Sequence, residues 1–183
     1  MKKRLLYATT NLGKIFEVGK YVEQFGVKLM SPREVELRLE VEEEGKTLEE
    51  NAAAKAKAYL EAGFEGIVMA DDTGVGIEAL GGEPGIHVRR WRDGKTRMND
   101  QEVIDYCLMR MKGIPKEKRT AKFRTVIAVG EAVGEIKLFD GVLTGMILEK
   151  PIPLRIEGFP FESLFYIPKW KKVLGEIHQM SAE

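Results

Sequence analysis

Four apolar residues in a row, Ile67-Val68-Met69-Ala70, run directly into two adjacent acids, Asp71 and Asp72, and then into Thr73-Gly74. An apolar run of this length reads as a short buried strand. Two neighbouring carboxylates at its end repel each other and need counter-charge. In α/β sheets the carboxyl ends of strands face the ligand, so the pair sits where chemistry is done. A divalent cation supplies the missing charge; a solvated turn capped by Asp is the structural alternative.

The segments around this run alternate between strand and helix patterns. Leu5 to Ala8 reads as a buried strand, followed by the polar turn Thr9-Thr10-Asn11 and a helix carrying Ile15, Val18, Tyr21 and Val22 on one face. Val35, Leu37, Leu39 and Val41 alternate with polar residues ahead of the acidic run Glu42-Glu43-Glu44, which predicts a half-buried strand. Thr47 followed three residues later by Glu50 has capping-box spacing, and the Ala-rich stretch to Ala62 predicts a helix. Gly81-Gly82-Glu83-Pro84-Gly85 predicts a tight turn, and Asp100 to Lys112 an amphipathic helix. Residues Ala121–Val129 and Ile136–Leu148 predict a long hairpin about the Gly130–Gly134 turn.

With 183 residues and 44% apolar side chains, the chain can build a substantial core, and it is expected to form a single domain over residues 1–183. Lys plus Arg and Asp plus Glu both number 29, so no overall field draws the surface to a nucleic-acid polymer or an acidic membrane. A local anion site is still compatible with this balance. The lone Cys107 rules out an internal disulfide and a Cys-based zinc cluster, and His87 and His178 form no ligand pattern. The apolar run after Met1-Lys2-Lys3-Arg4 is too short for an export signal, and nothing approaches a membrane span. A cytoplasmic location is expected.

Four further groups accompany the acid pair. Thr9-Thr10-Asn11-Leu12-Gly13-Lys14 lies between a strand and a helix N-terminus, where backbone N–H groups favour an anion and Lys14 adds positive charge. Plain capping by Asn11 accounts for the same residues, and the spacing is not that of a P-loop. Glu50-Asn51 and Lys55 place a carboxylate at a helix start and a lysine about one turn on, suited to Mg²⁺ and phosphate, or simply to a cap and a solvated lysine. Arg89-Arg90 and Lys171-Lys172 are basic pairs that can neutralise phosphate or remain solvated. Phe159, Phe161 and Glu162, near Phe165, Tyr166 and Trp170, offer rings to stack on a base and a carboxylate to read its edge, although aromatics in a small protein are mostly core.

Taken together and in order, these motifs resemble the inosine triphosphate pyrophosphatase family, and the likeness covers almost the whole chain. Ala8-Thr9-Thr10-Asn11-Leu12-Gly13-Lys14-Ile15-Phe16-Glu17 is similar to the family's opening motif, and Glu50-Asn51-Ala52-Ala53-Ala54-Lys55-Ala56 to its second. Ala70 to Gly74, Leu80 to Gly85 and Arg90 resemble its most specific stretch. The resemblance implies an α/β fold with a long curved central mixed sheet flanked by helices, two lobes with a nucleotide cleft between them, and a homodimer. The implied reaction is hydrolysis of a nucleoside triphosphate, of a deaminated or otherwise aberrant kind, to monophosphate and pyrophosphate. By the same likeness Thr9, Asn11, Lys14 and Lys55 hold phosphates, Glu50 and Asp72 bind Mg²⁺, and Asp72 orients or deprotonates the attacking water with support from Asp71. Thr10 and Thr73 join the substrate-binding set as members of the matched motifs, and Arg90 adds a phosphate contact.

The C-terminal third departs from the pattern. Where the family has Gly-Phe-Gly-Tyr-Asp-Pro-x-Phe, this chain has Gly158-Phe159-Pro160-Phe161-Glu162-Ser163-Leu164-Phe165. Lys172 matches the family lysine, but Val173 replaces the usual Thr, and no Ser-His-Arg motif occurs before Glu183. A pocket that hydrogen-bonds a base discriminates by leaving wrong partners unpaired, so these changes imply relaxed or redirected base preference. Two rival readings are a nucleotide-sensing protein with weak hydrolysis and a Maf-type pyrophosphatase for pyrimidine or modified nucleotides.

Overall fold

The computed structural model describes residues 3–37, 39–41, 44–131 and 134–180. Its eight strands are β1 (Lys3–Tyr7), β2 (Val27–Met30), β3 (Ile67–Ile77), β4 (Glu83–Gly85), β5 (Thr120–Gly130), β6 (Lys137–Ile147), β7 (Phe165–Ile167) and β8 (Lys172–Val173). Among the described residues four α-helices accompany them: α1 (Leu12–Val22), α2 (Leu48–Glu61), α3 (Asp100–Arg110) and α4 (Leu174–His178). The strands form one mixed sheet in the order β2-β1-β3-β5-β6-β7-β8, with β4 attached to β3. β1 runs parallel to β2 and β3, whereas β4 on β3, β7 on β6 and β8 on β7 are antiparallel. This is the long mixed α/β sheet that the motifs imply.

The chain divides into two compact units. The first contains residues up to Thr73 together with Thr125–Gly141, and the second contains Gly74–Arg124 together with Val142–Ser181. Their boundaries fall inside β3, β5 and β6.

In the first unit, Leu5, Leu6, Val68 and Ala70 from the parallel pair β1–β3 are buried, as are Leu48, Ala52, Ala56, Tyr59 and Leu60 from α2. The small residues of α2 recur at intervals of four, placing them on one helix face. Thr47 caps α2 by accepting from the Glu50 N–H (3.1 Å), as the spacing predicts. The N-cap of α1 is Asn11, and no residue of α1 is fully buried.

Three expectations need correction. The strand predicted from Val35 to Val41 is not formed among the described residues; residues 32–36 are a turn. Ser31 donates its N–H and hydroxyl to Glu34 Oε2 at 2.7 Å each, and Leu37 N–H bonds to Pro32 O, so local turn chemistry outweighs the alternating pattern. Arg38, Glu42 and Glu43 lie outside the described residues. β3 does not stop at Ala70 but runs on to Ile77, placing Asp71 and Asp72 inside the strand. Its parallel partner ends first: β1 pairs with Ile67–Met69 only, so the acids extend past the carboxyl end of β1, where the chain turns toward α1. The glycine cluster at 81–85 is more than a turn, because Glu83–Gly85 returns along β3 as β4. Gly81 and Gly82 take left-handed φ values of 65° and 93° at that reversal.

The second unit has its own core, which includes Val75, Ile77, Trp91, Val103, Ile104, Met111, Phe161, Leu164, Phe165 and Ile167. α3 begins with a full capping box between Asn99 and Glu102. Arg119 is buried and donates to four backbone carbonyls: Ile147 (2.8 Å), Met111 (2.9 Å), Ile114 (3.2 Å) and Leu148 (3.0 Å).

Candidate active site

Within the first unit, β1, β3, α1 and α2 converge on the acid pair. Asp71 is buried, and its two oxygens are held from different elements. Oδ1 accepts from the Tyr7 hydroxyl on β1 (2.6 Å), and Oδ2 from Lys14 Nζ on α1 (2.5 Å) and from the Thr73 hydroxyl (3.3 Å). The Thr73 hydroxyl also lies 2.9 Å from that of Thr125 on β5. Burial pushes the Asp71 carboxyl up, but the Lys14 ammonium, the Tyr7 hydroxyl and the charge of Lys55 outweigh it and hold the group below the usual carboxylate range. Burial and the neighbouring Asp71 keep the Tyr7 phenol protonated far above its ordinary range.

Asp72 is fastened to α2. Its Oδ2 accepts from Asn51 Nδ2 (2.9 Å), and its Oδ1 accepts from Thr73 N–H (3.1 Å) with Lys55 Nζ at 3.8 Å. Asn51 is itself oriented by Gly45, whose N–H donates to Asn51 Oδ1 over 2.8 Å. A side chain at position 45 would place its Cβ 2.5 Å from that oxygen, so only glycine allows the approach. Glu50, one residue before Asn51, is exposed and accepts from Lys46 N–H over 2.6 Å, so its carboxylate serves the helix start.

At the N-terminus of α1, Asn11 Oδ1 accepts from the Gly13 N–H (2.9 Å) and Lys14 N–H (3.3 Å), while Thr9 Oγ1 accepts from Asn11 N–H (3.2 Å). The capping reading of this motif is therefore realised, and two of the leading N–H groups are already engaged. Thr10 is exposed.

Lys14, Lys55, Asp71, Asp72 and Thr73 are thus brought together with Asn51, the residue after Glu50 on α2, while the Glu50 carboxylate itself is bonded to Lys46 N–H. Three participants are not singled out by the sequence. Tyr7 passes for a core strand residue. Thr125 sits 52 positions from its partner and carries no local signal. Asn51 is visible only as part of the Glu-Asn motif.

Among the described residues no three His, Cys, Asp or Glu side chains gather as a metal cage. The donor chemistry at Asp72 on β3, fastened to α2 through Asn51 next to the Glu50 carboxylate, fits Mg²⁺, which takes one or two carboxylates and completes its shell with waters and phosphate oxygens.

The remaining sequence-derived residues belong to the second unit. Phe161 is 2% exposed and packs edge-on to Phe123, with ring centroids 5.9 Å apart, as well as against Trp91. It is a core residue and presents no open face for stacking on a base. Glu162 is buried and paired with His178 of α4, on whose ring Phe159 packs at 5.1 Å. Lys172 is half-buried in β8, whereas its neighbour Lys171 is exposed. Arg90 is half-buried in a 3₁₀ turn, while Arg89 donates to Asp100 (2.5 Å) and to Gly158 O (2.9 Å).

A family model described as the Ham1 family matches residues 5–182. A dITP/XTP pyrophosphatase from Bacillus subtilis is 38% identical over 176 residues, covering 96% of this chain and 86% of the relative. Another from Caldanaerobacter subterraneus is 37% identical over 177 residues, covering 95% and 84%. Among solved structures, the Staphylococcus aureus Ham1 protein matches with a TM-score of 0.76 and 32% identity over 98% of this chain and 88% of that one. A HAM1 protein from Coxiella burnetii matches with a TM-score of 0.78 and 27% identity, over 96% and 87%.

Proposed function

The chain belongs to the Ham1 family, and on that premise we propose that it hydrolyses deaminated or otherwise aberrant nucleoside triphosphates to monophosphate and pyrophosphate. The observation that carries the reading is the meeting of Lys14, Lys55, Asp71 and Asp72, two cations and two carboxylates from three elements, in one unit. Relatives named dITP/XTP pyrophosphatases support the substrate class.

In this reading a water oxygen attacks the α-phosphorus, the bond from that phosphorus to the bridging oxygen breaks, and pyrophosphate departs with the electron pair. Asp72, held by Asn51 and Thr73, orients the water and accepts its proton. Lys14 and Lys55 offset the charge that grows on the leaving group, the kind of fixed electrostatic support that dominates phosphoryl transfer. Asp71 keeps Lys14 in place, and Thr9, Thr10, Asn11, Thr73 and Arg90 are assigned to substrate binding. Mg²⁺, bound by Asp72 and Glu50, would neutralise phosphate charge and polarise the phosphoryl oxygens.

Phe159, Glu162 and Lys172 are assigned to the base. The buried Glu162 carboxylate lies against the His178 ring, and an imidazole at that place beside the carboxylate supports an altered preference. We further take residues 1–183 to serve one activity, as a cytoplasmic homodimer. The buried free Cys107 agrees with a reducing compartment, and no helix among the described residues is long and apolar enough to cross a membrane.

The test is pyrophosphate release with Mg²⁺ over a panel of ribo- and deoxynucleotides including dITP, XTP, ATP, GTP and pyrimidine triphosphates. Turnover to monophosphate and pyrophosphate is expected for dITP and XTP, and binding without turnover would overturn the hydrolytic reading. A preference over ATP and GTP of about a hundredfold or less supports the altered base site, and about 10⁴-fold or more removes it.

A further inference from the structure

Tyr7 is the last residue of β1, 3% exposed, with its strand paired to β3 alongside Met69. Its hydroxyl is directed to one oxygen of Asp71, while Lys14 and Thr73 share the other. The groups facing this carboxylate are Tyr7 from β1, Lys14 from α1, Lys55 from α2 and Thr73 from β3. A carboxylate with both oxygens unengaged can accept from one three-donor ammonium through either or both of them. One whose first oxygen is taken by a fixed phenol has a single oxygen left for the lysine.

The Lys14 ammonium has three donors, and its side chain is 24% exposed. A one-oxygen grip holds the ammonium in place while leaving it donors for an incoming phosphate. We infer that Tyr7 is a positioning residue for phosphate binding: by occupying Asp71 Oδ1 it limits Asp71 to a single-oxygen hold on Lys14, which keeps that lysine available to the substrate.

This inference rests on the hydrolytic reading for its importance to catalysis, but its central statement concerns phosphate affinity alone. Removal of the hydroxyl leaves Oδ1 buried without its donor, and the carboxylate turns both oxygens toward the lysine. Lys14 is then withdrawn from the phosphate.

The test uses the full chain, the variants Tyr7→Phe and Lys14→Met, and a chain carrying 3-fluorotyrosine at position 7. Binding of tripolyphosphate is measured by calorimetry with divalent metal removed, alongside KM and kcat for dITP with Mg²⁺. Tyr7→Phe is expected to weaken tripolyphosphate binding about tenfold, the scale of one charge-assisted hydrogen bond, and to raise KM in parallel while kcat moves less. Unchanged affinity and KM in that variant overturn the proposal. So does the absence of any tripolyphosphate binding by the unaltered chain, whatever hydrolysis shows.

Replacing Tyr7 with 3-fluorotyrosine keeps the hydroxyl and adds a ¹⁹F reporter beside it, which settles the matter even where Tyr7→Phe does not fold. Saturating tripolyphosphate should shift that resonance, and Lys14→Met should abolish the shift. A resonance indifferent to tripolyphosphate, or one that shifts equally without Lys14, overturns the link between Tyr7 and the phosphate. Failure of hydrolysis with this coupling intact counts against the catalytic reading and leaves the positioning role standing.

Discussion

Asn51 gives its side-chain amide to Asp72 across 2.9 Å, fastening the first turn of α2 to the middle of β3. Position 51 is a helix residue and position 72 a strand residue, so a helix start chosen by Thr47 also fixes the carboxylate assigned to the attacking water. Folding and the proposed catalysis meet in that amide.

Asp72→Asn keeps the shape of the side chain but removes the charge that the proposed chemistry needs. Turnover with dITP should fall by about 10²–10³-fold, and the thermal midpoint should change little. Pyrophosphate release and a melting curve measured on the same preparation check both halves; near-normal turnover would remove Asp72 from its role.

Gly45→Ala should act on the same carboxylate from a distance. The added Cβ would lie 2.5 Å from Asn51 Oδ1, so the amide must give way and its bond to Asp72 is lost. The expected cost is about 1–3 kcal/mol of stability, read by denaturant unfolding, with reduced turnover. A Gly45→Ala chain that matches the parent in both measurements would show that the contact has slack.

Asp93 supplies a pH prediction. The Lys95 N–H, with the side chain and N–H of Thr96, favours its charged form and lowers its pKa from 3.8 to about 2. Its folded pKa is depressed, so the associated stability is present above the unfolded value and is lost as pH falls through the interval from 3.8 to about 2. In Asp93→Asn the thermal midpoint should decline less steeply across that interval, as a melting series at stepped pH would show; an unchanged slope would mean that the turn also forms in the unfolded chain.

Cys107 should be inert in the native protein. Burial pushes its thiol up to about 12, so almost no thiolate exists near neutral pH. A thiol-specific chromogenic reagent should label it only after denaturant is added, at the rate of unfolding. Rapid labelling without denaturant would place it on an open path to solvent.

The elements most legible in the sequence are those whose cause is local. The start of α2 can be read because a hydroxyl and the N–H three residues on make their own contact, and β1 because its apolar run is short and bounded. β3 exceeds its predicted length, since Asp71 and Asp72 interrupt the apolar run while the backbone continues as strand. The segment from Val35 to Val41 misleads for the opposite reason: its alternation is genuine, but Ser31, Pro32 and Glu34 satisfy the backbone within a turn.

At the site, the charged residues announce themselves by type, whereas Tyr7 and Thr125 become partners of the acid-pair segment only through strand pairing across long separations. Phe161 illustrates the complementary difficulty. An aromatic beside a predicted ligand loop looks available for stacking until its neighbours Phe123 and Trp91 are seen to enclose it.

Arg119 limits how this protein can be re-engineered. The stretch from Lys112 to Lys118 would attract anyone seeking a place to graft a peptide or insert a tag, yet carbonyls of Met111 and Ile114, and of Ile147 and Leu148 as well, are bonded to one guanidinium. A lysine there would offer three donors from a single point to four acceptors arranged around a planar fork. An insertion that changes the path of this connection therefore strains a knot of bonds far along the chain, and a graft that respects it must leave Met111, Ile114 and Arg119 in register.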